Sequence, residues 1–122
     1  MRKAENSESS EDFGWVAKLV AVLETFRTVD PDITANQILA LLLIAREPGI
    51  SHLELSDKNH LNVTGSTATR LCAILSDRGN RGAPGKGLIE IGHAPGDYRA
   101  TAQSLTAAGR ELLARVRKEA TA

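Results

Sequence analysis

Between Asn62 and Leu71 the chain reads NVTGSTATRL, five small hydroxyl or glycine residues in front of a single arginine. Ser, Thr and Gly are mediocre or poor helix formers. Yet Ala68, Leu71, Cys72 and Leu75 follow the i, i+3, i+4, i+7 spacing of a buried helical stripe. At about 100° per residue, Ser66, Thr69, Arg70 and Ala73 point away from that stripe. The resulting face is slim, uncharged near its start and tipped by one long cation. Small hydroxyls let a backbone come close to phosphates and base edges, and an arginine can fork onto guanine. The free N–H groups of the first turn add a place for a phosphate. The plainer alternative is that Thr64, Ser66 and Thr67 only cap a helix and fill its surface. For Thr64, capping is the expected work even in a DNA complex.

A second set of cations, Arg78, Arg81 and Lys86, stands in DRGNRGAPGKG, residues 77–87, where four Gly and one Pro in eleven positions predict a mobile loop. As a flexible arm this loop could track phosphates; equally, it could be a plain solvated loop. GNRGAPGKG is not a nucleotide-binding loop. Asn80 stands where the first Gly is needed, Lys86-Gly87 is not followed by Ser or Thr, and the segment follows a helix rather than a strand. His52, His60, His93 and Cys72 show no metal-ligand spacing, and no Ser/His/Asp arrangement can be drawn. No catalytic residue, metal or cofactor is therefore expected. Cys72 lies on the apolar stripe and reads as buried filler.

The elements that hold these residues follow from the apolar pattern. MRKAENSESSE, residues 1–11, is polar and predicts a disordered tail, which leaves 12–122 as a single domain. Trp15, Leu19, Val22, Leu23 and Phe26 form the stripe of a first helix from about Asp12, stopped by Asp30-Pro31. Trp15 and Phe26 read as core or interface residues. Thr34 caps a second helix that is apolar on most sides, which places it at the centre, and Pro48-Gly49 ends it. Ser51 caps a short third helix anchored by Leu53 and Leu55, Asn59 to Asn62 is a turn, and Thr64 caps the fourth helix, to about Ser76. Leu88, Ile89 and Ile91 suggest a strand, 94–97 a turn, and Tyr98 to Gln103 the returning strand. Thr106 caps a last helix carrying Leu112, Leu113 and Val116. The expected fold is α+β, mostly α: a helix-turn-helix at about 50–76, a wing at about 88–103, and flanking N- and C-terminal helices. His52 and His60 fall in or near the helix-turn-helix surface.

The charges agree with one face meeting a polyanion. They sum to zero, but residues 1–33 carry −3, 34–63 carry −1 and 64–122 carry +4. A single cysteine rules out an internal disulfide, Met1 to Asp12 lacks the apolar core of a signal peptide, and the longest apolar run, Ile38 to Ala45, is too short to span a bilayer. A cytoplasmic protein without a membrane partner is expected.

From Thr34 to Leu113 six pieces stand in order: TxxQILxLL at Thr34–Leu42, GISxLxL at Gly49–Leu55, VTGSTATRL at Val63–Leu71, KGLI at Lys86–Ile89, DYR at Asp97–Arg99 and LTAAGRELL at Leu105–Leu113. In these pieces the sequence resembles the multiple-antibiotic-resistance regulator (MarR) type of winged-helix repressor. The resemblance implies a recognition helix at Thr64–Ser76, with Ser66, Thr67 and Arg70 as groove contacts. It also implies a wing whose Arg99 reaches towards the minor groove. Members are homodimers whose N- and C-terminal helices interlock, about one DNA turn between recognition helices. The segment 77–85 is inserted where relatives pass almost directly from recognition helix to wing.

The expectation is a homodimeric, sequence-specific regulator of transcription that binds duplex DNA, most simply a repressor; no small-molecule effector is named by the residues. Two alternatives stand beside it: a plasmid or phage replication or partition protein binding repeated sites, and a winged-helix module that recruits a protein and does not bind DNA.

Overall fold

Among the described residues, four of five helices begin where a hydroxyl can accept a backbone N–H. In the computed structural model, which describes residues 12–94 and 96–122, α1 spans Val16–Arg27, α2 Ala35–Arg46, α3 His52–Ser56, α4 Gly65–Leu75 and α5 Ala107–Ala120. The hairpin strands β1, Ile89–Ala94, and β2, Asp97–Leu105, lie between α4 and α5. The expected tail at 1–11 lies outside the described residues. Thr34 accepts from Gln37 N and Ser51 from Glu54 N, each closing a reciprocal capping box. Thr64 accepts from Thr67 N and Thr106 from Gly109 N. α1 is the exception. Its N-cap is Trp15, which has no side-chain acceptor, so the helix starts four residues after Asp12.

Phe26, Leu41, Ile44, Leu55, Leu75, Ile89 and Leu112 are at most 1% exposed and form the centre of the core. The expected stripe of α1 splits lengthwise: Phe26 is buried and Val22 packs on the core, whereas Trp15, Leu19 and Leu23 are half exposed. α2 puts Ala40, Leu41 and Ile44 into the core but leaves Leu39 and Leu42 open, so it is covered on one side and not on most sides. In α3, Leu55 alone is an anchor. Leu53, expected beside it, is 64% exposed, because five residues of helix present only one side inward.

β1 and β2 pair antiparallel with Ile89 opposite Leu105 and Ile91 opposite Gln103, with a bulge at His93/Ala94. Ile50 adds a bridge to β2: Gln103 N donates to Ile50 O at 2.9 Å and Gly49 N to Gln103 O at 2.8 Å. The wing is thus pinned to the start of the helix-turn-helix. At its other end α5 meets β1 so closely that a Cβ on Gly109 would collide with the Leu88 carbonyl, while Thr106 Oγ1 donates to Gly87 O at 2.7 Å. α5 then returns along α1, with Arg115 donating to Thr28 Oγ1.

Residues 77–87 are folded, not a loose arm. Gly79 N donates to Ala73 O and Lys86 N to Ile74 O, which ties both ends of the segment to the last turn of α4. Asn80 and Ala83 exchange backbone hydrogen bonds across Arg81 and Gly82, both at positive φ, the pattern of a type I′ turn. The many glycines here serve a tight path: a Cβ on Gly79, itself at φ +76°, would strike the Ala83 carbonyl.

Candidate nucleic-acid interface

α4 is held from behind and bare in front. Ala68, Leu71, Cys72 and Leu75 are all buried, and Ser66, Thr69 and Arg70 are exposed, with Thr67 between. Packing on α2 and α3 compensates the weak helix propensity of its first residues. Burial pushes the Cys72 thiol up to about 11, so it stays neutral and acts as a packing group.

The hydroxyls at the start of α4 are not equivalent. Thr64 Oγ1 accepts from Thr67 N at 3.1 Å and gives its own proton to Thr67 Oγ1 at 2.9 Å, with Ser66 Oγ 3.2 Å away. Thr69 Oγ1 donates back to Gly65 O at 3.0 Å. Thr67 therefore keeps a proton to offer an acceptor, and Ser66, which faces a Thr64 oxygen whose one proton is already given, can donate either to that oxygen or to an acceptor outside. Thr69 presents only lone pairs. Arg70 borders an open groove of about 500 Å³ between the outer side of α4 and the first turn of α2, where Asn36 and Gln37 form the opposite wall. Among the described residues no ion pair engages its guanidinium.

The remaining expected cations fall apart as a group. Arg78 and Arg81 are exposed, Arg81 at the turn of the folded segment. Lys86 is not available as expected: its Nζ lies 2.8 Å from Asp30 Oδ2, its side chain is 14% exposed, and it joins the segment to the end of α1. That bond, with the Asp32 N–H on the same carboxyl, holds Asp30 below the usual carboxylate range. Arg99 belongs to β2, and its side chain lies outside the described residues.

Two polar clusters were not legible in the sequence. Behind the wing, Gln103 is fully buried and its Nε2 donates to Ile50 O at 3.2 Å and Thr101 Oγ1 at 2.9 Å. Thr101 Oγ1 also meets His52 Nδ1 at 2.7 Å. These residues border a hollow of about 120 Å³ between α3, α4 and the hairpin, and Gln103 Oε1 has no hydrogen-bond partner among the described residues. In the turn between α3 and α4, His60 lies between Asp57 and Glu47. The period-two alternation that makes Ile91 an inward residue also turns Gln103 inward, the one signal that marked it.

A short helix-turn-helix, a recognition helix with one free face and a hairpin pinned beside it define a winged helix. Its fold is of the MarR type: the solved structures that match it include MarR itself and MarR-type transcriptional regulators. A transcriptional regulator from Thermotoga maritima is 25% identical over 98% of this chain and 75% of its own, with a TM-score of 0.69. FabT from Streptococcus pneumoniae, solved in complex with DNA, is 25% identical over 95% of this chain and 73% of its own, with a TM-score of 0.61. The apo form of wild-type MarR from E. coli is 25% identical over 84% and 67%, with a TM-score of 0.61. No protein-family model and no curated protein matches the chain. Among the described residues no group of His, Cys, Asp and Glu could hold a metal ion, and no helix is long and apolar enough to cross a membrane.

Proposed function

We propose that this protein is a DNA-binding regulator of transcription that acts as a homodimeric repressor in the cytoplasm, with α4 in the major groove and the hairpin along the minor groove or backbone. The observation that carries this reading is the outer face of α4: small hydroxyls with protons to give at its first turn, then an Arg70 with no ion pair among the described residues, on a helix whose opposite face is buried. The hydroxyls of Ser66 and Thr67 suit phosphate oxygens, and Arg70 suits a guanine edge. Arg78, Arg81 and Arg99 supply charge for the flanking backbone, and Thr69 a packing surface with acceptor character. The similarity to FabT, solved with DNA, supports the same use of the fold here. Half-exposed Trp15, Leu19 and Leu23 on α1 support pairing through the terminal helices.

The test is selection of bound duplexes from a random pool, followed by affinity measurement on the enriched sequence. Arg70→Ala is expected to cost about 1–3 kcal/mol on that sequence and to relax preference at one base pair. Failure of the wild type to enrich any duplex, with no binding to random DNA at low salt, would overturn the reading in favour of a protein-recruiting module. Enrichment of tandem repeats would point to replication or partition instead.

A further inference from the structure

The turn that joins α3 to α4 sets where the recognition helix lies; Leu61 packs it on the core, and one polar side chain ties it to the end of α2. Leu61 N donates to Leu55 O, Asn62 N to Asp57 O and Val63 N to Ser56 O, with Asn62 at φ +55°, so the turn is folded back on α3. None of these bonds reaches α2. His60 does: Nε2 is 2.9 Å from Glu47 Oε1 at the end of α2, and Nδ1 is 2.9 Å from Asp57 Oδ1 at the end of α3. Its side chain is only 14% exposed.

A carboxylate can only accept, and a neutral imidazole carries one N–H. Both 2.9 Å contacts are hydrogen bonds only when the ring is doubly protonated; a neutral ring would set a lone pair against one carboxylate. We propose that His60 is a positioning residue for the recognition helix: as an imidazolium it fastens the α3–α4 turn to the end of α2, and loss of its proton releases the turn. The ionisable groups that face it are Asp57 from α3 and Glu47 from α2, with Arg46 3.9 Å from Glu47. Among the described residues no ion pair reaches it from α4, the hairpin or α5.

The hydrogen bonds that His60 donates to Asp57 and Glu47 raise its pKa above 6.5, and the His60 bond lowers that of Asp57. The contribution of His60 is therefore complete below 6.5 and is lost as pH rises through its raised value. That of Asp57 is present above the ordinary carboxylate range and is lost as pH falls through its lowered value. The fastening is closed between the two limits. The consequence for duplex affinity rests on the proposed function; the fastening itself is tested on the free protein.

The experiment follows the His60 ring and the exchange of the Leu61, Asn62 and Val63 amides by NMR against pH, in the wild type and in His60→Gln. The wild-type ring is expected to titrate above 6.5, lower in Glu47→Gln and in Asp57→Asn. Across that titration, protection of the turn amides, corrected for intrinsic exchange, should fall by up to about tenfold per pH unit of elevation. His60→Gln should show no such step. A wild-type ring at or below 6.5, or turn amides that follow pH alike in wild type and His60→Gln, would overturn the proposal. Duplex affinity, corrected with the His60→Gln baseline, should weaken over the same pH range. Absence of duplex binding at every pH would count against the DNA reading alone, because the amides have already decided the role of His60.

Discussion

At the scale of single residues, the first turn of α4 separates side chains that share one chemistry. Ser66 and Thr69 are both exposed hydroxyls on the outer face, but the Thr69 proton is spent on Gly65 O, whereas Ser66 has only another hydroxyl nearby. Ser66→Ala is expected to weaken duplex affinity by about 1–3 kcal/mol, the cost of a hydrogen bond to a charged acceptor. It should leave thermal stability unchanged or slightly raised, since Ala is the better helix former. Thr69→Val keeps the branched shape and should stay within about 0.5 kcal/mol in both measurements. Equal losses of affinity in the two variants would show that shape, rather than hydroxyl chemistry, governs this turn. The sequence placed both residues on the outer face, because the Ala68–Leu75 stripe fixes the helical phase. It could not tell them apart, because a back-bond to the i−4 carbonyl depends on a rotamer. Lys86 was illegible for a different reason: its partner, Asp30, is 56 positions away.

Elements show the same division between local and distant causes. Thr34, Ser51, Thr64 and Thr106 were readable as caps because a cap bonds a backbone N–H within three residues. The hairpin was readable from its β-branched residues and turn, but the Ile50 bridge that orients it was not, since one residue of extended backbone has no pattern. Segment 77–87 misled because glycine has two uses, freedom and close approach, and here close approach prevails. Gly109 offers a test of that distinction. In an exposed helix Gly→Ala stabilises by about 0.5–1 kcal/mol. At Gly109 the added Cβ would meet the Leu88 carbonyl, with backbone on both sides and little room to give. Gly109→Ala is therefore expected to destabilise by about 1–3 kcal/mol, as overpacking does, measured by chemical denaturation. A stabilised variant would mean that α5 does not lie against the start of β1 as described.

At the scale of the whole molecule, the described residues leave two apolar helix faces open. Trp15, Leu19, Val20 and Leu23 on α1 and Leu39 and Leu42 on α2 are 40–56% exposed, all outside the face expected to meet DNA. Monomeric proteins seldom expose contiguous apolar patches beyond a few hundred Å², and the α1 side chains recur along one side of a helix that α5 already covers on another. In the proposed reading a second copy buries them. Pairing would also place two copies of α4 on neighbouring turns of one duplex, where the second contact becomes intramolecular. Leu23→Glu puts a charge into that surface without touching the buried Phe26, so the fold should survive while association fails. Sedimentation should give twice the 13.0 kDa chain mass for the wild type and the single mass for the variant. On a duplex with two half-sites the variant should bind at least about a hundredfold more weakly, the scale of lost bivalency. On a duplex with one half-site the two proteins should bind alike. A variant that remains dimeric, or that loses affinity equally on both duplexes, would remove α1 from the interface and leave Leu39 and Leu42 of α2 as the surface to examine.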